Sequence, residues 1–156
     1  MSNPFDLTGK VALVTGGNVG LGQGIALALA EAGADIVSVA LSDSDDTVAK
    51  VQAMGRRAAS VTADLTSTEP VERVLAEALE AMGRVDILVN NAGLIRRADA
   101  VDFSEADWDL VMNINLKTVF FMSQAVARHF IKQGDGGKII NIASMLSFQG
   151  GIRVPS

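Results

Sequence analysis

The 156 residues include no cysteine and no tyrosine, one histidine, one tryptophan and three prolines. Without cysteine there is no disulfide, no thiolate zinc site and no cysteine nucleophile. His129 alone cannot build a histidine-rich metal site, and a Ser-His-Asp triad would have to run through it. It lies in a helical pattern beside Phe130 and Ile131, which favours a structural role. Cations are few: 13 Lys and Arg stand against 18 Asp and Glu, a net charge of −5. This leaves no basic footprint for nucleic acid or for an electrostatic membrane anchor. No run of about 18 apolar residues occurs. The opening "MSNPFDLTGK" lacks the basic-then-apolar order of a secretory leader, so a cytoplasmic protein is expected, with no membrane partner.

What is present is apolar mass: 49% hydrophobic residues against 20% charged, enough for the core of one domain spanning 1–156. Apolar runs alternate with helical patterns. Val11–Thr15, Asp35–Leu41, Ala58–Asp64, Val85–Gly93 and Lys138–Ser144 read as strands, the first being the continuous valine-rich type buried on both faces. A helix ending at Gly33 follows the first strand, and one through Val48, Val51 and Met54 follows the second. Pro70 opens a third, whose Val71, Val74, Leu75, Ala78, Leu79 and Met82 share a face and which Gly83 closes. Residues 104–133 read as one long helical stretch, with Ser104 and Asp107 in capping-box spacing. Strict β-α alternation predicts an α/β fold: a doubly wound parallel sheet with right-handed crossovers and helices on both faces. Ligands of such sheets bind beyond the carboxyl ends of the strands, where "TGGNVGLG", "AD", "NNAG" and "ASMLS" all fall.

The turn Thr15–Gly22 joins a buried strand to a helix. Its glycines permit a tight bend and close approach of backbone to a diphosphate, and the helix N-terminus adds free N–H groups and partial positive charge. The spacing T-G-x-x-x-G-x-G resembles that of the short-chain dehydrogenase/reductase family, which implies a Rossmann-like sheet of strand order 3-2-1-4-5. Asp64, Asn90-Asn91-Ala92-Gly93, Asn115 and Ser144 match further family motifs in order. The resemblance implies a dinucleotide held by Gly16, Asn18, Val19, Gly20, Leu21 and Gly22 of the turn, by Asp64 and Leu65, with Asp64 on the adenine amino group, and by Asn91, Ala92 and Gly93. Acids at 43, 45 and 46, with no cation before Lys50, favour NAD over NADP.

The resemblance also assigns the chemistry. Ser144 would hold the substrate oxygen, and Asn115 would place a water that relays protons to a lysine. The family's acid/base is a tyrosine, whose pKa near 10 must fall by about 3 units to act at neutral pH. It should follow Ser144 by about a dozen residues, just beyond position 156, with a lysine four further on. The expectation is therefore the N-terminal part of a longer single-domain enzyme, without the later strands and helices of the fold, which at 156 residues would bind dinucleotide poorly and catalyse nothing. If the chain truly ended there, a non-catalytic dinucleotide-binding protein would be the reading.

The segments "NNAGLIRR", "FFMSQAVARHFIKQG" and "GGKIINIASMLSFQGGIRVPS" resemble the family's sugar-acid dehydrogenases. This implies oxidation or reduction at a secondary carbinol of a deoxy sugar acid. The alternative is a reductase on another sugar or ketone. A sugar acid carries a carboxylate, which the fork of a guanidinium matches. Arg96 or Arg153 is the candidate to bind it, with Met145, Ser147 and Gln149 lining the pocket. The family resemblance also implies a homotetramer formed through helix 104–133. Trp108 and Phe120–Met122 are candidates for core or subunit contact.

Overall fold

Five short apolar runs become the five strands of one parallel sheet: β1 (Val11–Thr15), β2 (Asp35–Ala40), β3 (Ala58–Thr62), β4 (Ile87–Asn90) and β5 (Lys138–Asn141). The computed structural model describes residues 4–156, so the first three residues of the segment read as free of a leader lie outside the described residues. The strand order is β3-β2-β1-β4-β5, as the family resemblance implies, and all pairs are parallel, as the alternation predicts. The order reverses between β1 and β4, which opens a crevice at their carboxyl ends.

Both faces of the central strands β1, β2 and β4 are covered, as continuous apolar strands require. The period-2 alternation divides the core. Val11, Leu13, Val37, Val39 and Leu88 face one side, against Val74 and Ala78 of α3 (Val71–Met82) and Met122, Val126 and Phe130 of α5 (Thr118–Gln133). Ala12, Val14, Ile36 and Val89 face the other, against Ala26 and Ala30 of α1 (Gly20–Glu31) and Val51 of α2 (Asp45–Ala53). The alanines of α1 let it lie close to the sheet, which brings its N-terminus over the end of β1.

Two details depart from the sequence reading. Helix α2 forms where expected but ends at Ala53, and it buries Thr47 and Val51, with Ser44 just before it, while Met54 is exposed, because it docks on polar groups near the glycine turn. The stretch 104–133 is not uniformly α-helical: α4 (Glu105–Met112) passes through a π-turn at Asn113–Lys117 before α5 begins. Ser104 does cap it, its Oγ accepting from the Asp107 N–H at 3.1 Å. Glu105–Gln133 as a whole is long and apolar enough to cross a membrane. Here its C-terminal half packs into the core through Met122, Ala125, Val126 and Phe130. Met122 is buried, while Trp108, Phe120 and Phe121 are exposed.

Two buried carboxylates, Asp35 and Asp86, stand at the amino ends of the strands. Asp86 accepts from Val11 N–H at 2.9 Å and from Arg84, with Lys10 at 3.6 Å. Asp35 accepts from Arg57 N–H and Nε and pairs with Arg56 at 2.9 Å. Burial pushes both carboxyls upward, but the hydrogen bonds and cations outweigh it and hold them below the ordinary carboxylate value. These locks sit opposite the end of the sheet that carries the motifs. β5 is an edge strand with Ile139 and Ile140 partly exposed.

Candidate active site

The glycine turn is shaped by close approach. Gly16 adopts φ +65°, and a Cβ there would lie 2.9 Å from Asn91 Nδ2. Gly22 is buried beneath the turn, where a Cβ would overlap the Gly16 carbonyl and sit 2.5 Å from Asn91 Nδ2. The chain therefore folds helix α1 back onto its own entry. No side chain caps α1, and its first turn holds no acid, so its leading N–H groups face the crevice without a competing carboxylate.

Thr15, at the end of β1, ties the turn to the neighbouring loop. Its buried hydroxyl donates to the Val89 carbonyl at 3.3 Å and accepts from the N–H groups of Asn91 and Ala92 at 3.0 Å each. Asn91 Nδ2 donates to the Thr15 carbonyl at 2.9 Å. Asn90, also buried, donates to Ser123 Oγ at 2.9 Å and Asn141 Oδ1 at 2.8 Å. The Asn90–Gly93 loop is thus held from β1, α5 and β5 at once.

Two adjoining cavities meet at this loop. One of about 360 Å³ runs from Gly16, Asn18 and Val19 past Ala40 and Leu41 to Asp64, Leu65 and Thr66, with Asn91–Leu94 on its near wall. A larger one of about 770 Å³ shares Asn91–Leu94 and is closed by Leu21, Asn115, Asn141–Ser144 and Ser147. Asp64 Oδ1 accepts from the Thr66 hydroxyl at 2.7 Å and its N–H at 2.9 Å, which lowers its pKa and keeps it charged. Ser144 Oγ accepts from Leu146 N–H at 3.1 Å, leaving its own proton to donate into the second cavity.

Asn115 lies in the π-turn, where Thr118 N–H reaches back to the Asn113 carbonyl. Such turns recur at functional sites because they displace carbonyls from α-helical pairing. Its side chain is committed at both ends: Oδ1 accepts from Leu94 N–H at 3.0 Å and Nδ2 donates to the Leu94 carbonyl at 2.8 Å. The amide therefore holds the loop.

The residues singled out in the turn, at Asp64–Leu65, at Asn91–Gly93, at Asn115 and at Ser144 thus converge on one crevice, with Gly20 at its rim and Gly22 below it. Arg96, Met145 and Arg153 do not line either cavity. Arg96 pairs with Asp107 at 3.2 Å, and Arg153, at φ +58°, pairs with Asp99 at 2.8 Å. Met145 is exposed. Arg97 donates to the Ile152 carbonyl at 3.1 Å, so the loops after β4 and β5 are strapped together. Leu41, Ala63, Leu94 and Ile114 line the first cavity without a sequence signal, since apolar lining looks like any core residue.

The crevice fits a dinucleotide on its own geometry: an uncapped helix N-terminus, a turn that admits no Cβ at Gly22, and an elongated cavity ending at a charged carboxylate. A family model described as short chain dehydrogenase matches residues 10–156. The chain is 63% identical over 152 residues to the 2-dehydro-3-deoxy-D-gluconate 5-dehydrogenase of Escherichia coli (strain K12), covering 97% of this chain and 60% of that protein. It is 49% identical over 157 residues to the protein of the same name from Bacillus subtilis (strain 168), covering all of this chain and 61% of the relative. The crystal structure of a candidate 2-deoxy-D-gluconate 3-dehydrogenase from Agrobacterium tumefaciens with bound NADP superposes with a TM-score of 0.86 at 50% identity, over 99% of this chain and 61% of that one. The chain thus spans about three-fifths of the length of the relatives it matches.

Proposed function

Because the chain belongs to the short-chain dehydrogenase family, we propose that the protein is an oxidoreductase moving a hydride between a nicotinamide dinucleotide and a secondary carbinol of a gluconate-like sugar acid, of the 2-keto-3-deoxygluconate or 2-deoxygluconate type. The observation that carries this reading is the convergence of Ser144, Asn115 and the glycine turn on two cavities sharing Asn91–Leu94. The bound dinucleotide would supply the hydride acceptor or donor. The carbinol proton would pass to or from the tyrosine that the family resemblance implies and that these 156 residues do not include; the residues present bind, orient and polarise. Turn residues 16–22 and Asn91–Gly93 would hold the dinucleotide, with Asp64 and Leu65 at its adenine end. Ser144 donates its hydroxyl proton to the substrate oxygen and polarises it, and Asn115 keeps Leu94, and so the shared wall, in place.

NAD is the proposed coenzyme rather than NADP, although the Agrobacterium relative carries NADP. Asp43, Asp45 and Asp46 border the outer rim beside Asn18 and Ser42. The first cation after these acids, Lys50, is paired with Asp46 at 2.6 Å. A 2′-phosphate there would meet carboxylates. For the substrate carboxylate the candidates are Arg96, which follows the cavity-lining Ile95, and Arg153. Their partners are exposed carboxylates, and such ion pairs hold by only about 0–1 kcal/mol, so a substrate can take a share of them. Subunit association through helix 104–133 is supported by its exposed Leu116, Phe120 and Ile131.

Changing Ser144 to Ala in the full-length protein tests the proposal. Loss of one donor at the reacting oxygen should lower kcat about 100-fold, with dinucleotide affinity unchanged. The substrate panel would pair sugar acids with neutral polyols of equal length. An S144A protein that turns over normally, or equal rates on acids and polyols, overturns it.

A further inference from the structure

Thr47 sits on α2, 30 residues beyond the glycine turn, yet its buried hydroxyl is directed at that turn rather than at its own helix. Its Oγ donates to the Gly17 carbonyl at 2.9 Å and lies 3.3 Å from the Asn18 carbonyl. Gln23 of α1 completes the contact. Its Nε2 donates to Thr47 Oγ at 2.8 Å and to Asp46 Oδ2 at 2.9 Å, and lies 3.2 Å from the Asn18 carbonyl. The amide cannot be reversed: Oε1 faces the Lys50 ammonium at 3.4 Å, whereas Nε2 faces three oxygens. Lys50 donates to Asp46 at 2.6 Å and closes the chain of bonds.

An anion cradle needs its amide hydrogens inward and its carbonyl oxygens turned away. A glycine-rich turn does not guarantee this, because its peptide planes rotate easily. In this turn both carbonyls between Gly17 and Val19 have donors behind them, supplied by the next β-α unit. We propose that Thr47, supported by Gln23, is a positioning residue for dinucleotide binding: it anchors the Gly17 and Asn18 carbonyls on the side of α2, so that the turn meets the diphosphate with N–H groups only. The assignment rests on the dinucleotide reading above. It gives α2 a part in coenzyme binding that no sequence motif marks, since the contact forms only once β2 has carried the chain across the sheet edge.

The test compares the full-length wild-type protein with its Thr47→Val, Thr47→Ser and Gln23→Leu variants, by calorimetric titration with NAD, ADP and adenosine and by urea denaturation. Preorganisation acts on ligands that carry the diphosphate. T47V should weaken NAD and ADP about tenfold, about the loss of one well-placed hydrogen bond, and leave adenosine within about twofold. T47S, which keeps the hydroxyl, should restore both to within about twofold. Q23L, at a half-buried site that does not threaten folding, should weaken ADP about threefold. Equal weakening of adenosine and ADP would show a merely structural contact and overturn the assignment, as would unchanged ADP binding in both T47V and Q23L. A wild-type protein that bound neither NAD nor ADP would instead overturn the dinucleotide reading itself.

Discussion

Two glycines two residues apart on α1 should respond in opposite directions to the same substitution. A Cβ on Gly24 meets nothing within 4 Å, whereas one on Gly22 overlaps the Gly16 carbonyl and presses on Asn91 Nδ2. Gly24→Ala therefore collects the helix-propensity difference, about 0.8–1 kcal/mol of stabilisation. Gly22→Ala collects the same gain but must open the turn. Overpacking against backbone costs about 1–3 kcal/mol. Displacing Asn91 forfeits its bond to the Thr15 carbonyl, about 0.5–1.5 kcal/mol. The net for G22A is a destabilisation of about 2 kcal/mol, so the two variants should differ by about 3 kcal/mol. In a domain of this size that is about 6–12 °C in Tm. Urea denaturation followed by the fluorescence of Trp108, the single tryptophan, reads the difference, and titration with NAD should show at least a tenfold loss for G22A and none for G24A. If G22A were as stable as G24A and bound NAD equally well, the argument that the turn is set by close approach of Gly16, Gly22 and Asn91 would fail.

Further outcomes follow from other parts of the molecule. Asp86 has a depressed folded-state pKa, so its contribution is fully present above the unfolded value near 3.9 and is lost as pH falls through the lower folded value. The urea midpoint should be flat from about pH 7 to 5 and drop below about pH 4, and Asp86→Ala should flatten that drop while costing about 1–3 kcal/mol at neutral pH by orphaning the Val11 N–H. A D86A protein with the wild-type acid profile would refute this. The Thr118 hydroxyl is buried and lacks a partner among the described residues, so Thr118→Val should stabilise by about 1 kcal/mol; a fall in Tm would count against it. Replacing Arg96 or Arg153 with Ala should raise KM for a sugar acid more than for a neutral polyol. Equal changes would remove both from substrate binding.

Much of the site was legible because its motifs are local. The tight turn needs glycine at particular spacings, and strand ends must precede the loops that bind, so "TGGNVGLG" and "NNAG" can be placed without coordinates. Alternation of valine-rich runs with helices likewise gives the parallel sheet, while its order 3-2-1-4-5 came with the family resemblance. Local patterning missed the burial of Thr47 and Ser44, because they are polar residues whose burial depends on partners far along the chain. It also missed the π-turn at Asn113–Lys117, where no glycine or proline announces a change of helical pitch.

What the sequence determined by itself was the alternation of elements, the two-sided burial of the sheet and the residues that border its carboxyl edge. These follow from periodicity and backbone sterics, which act over a few residues. Tertiary structure decided the rest: that Thr15 knits two loops together, that Asn115 spends its side chain on Leu94, that Arg96 and Arg153 meet Asp107 and Asp99, and that Thr47 reaches the turn from the next β-α unit. Each of these pairings joins groups that the chain holds far apart until the sheet assembles. Hydrogen bonds and ion pairs act only at contact distance, so their partners are chosen by the packing and carry no mark in local sequence.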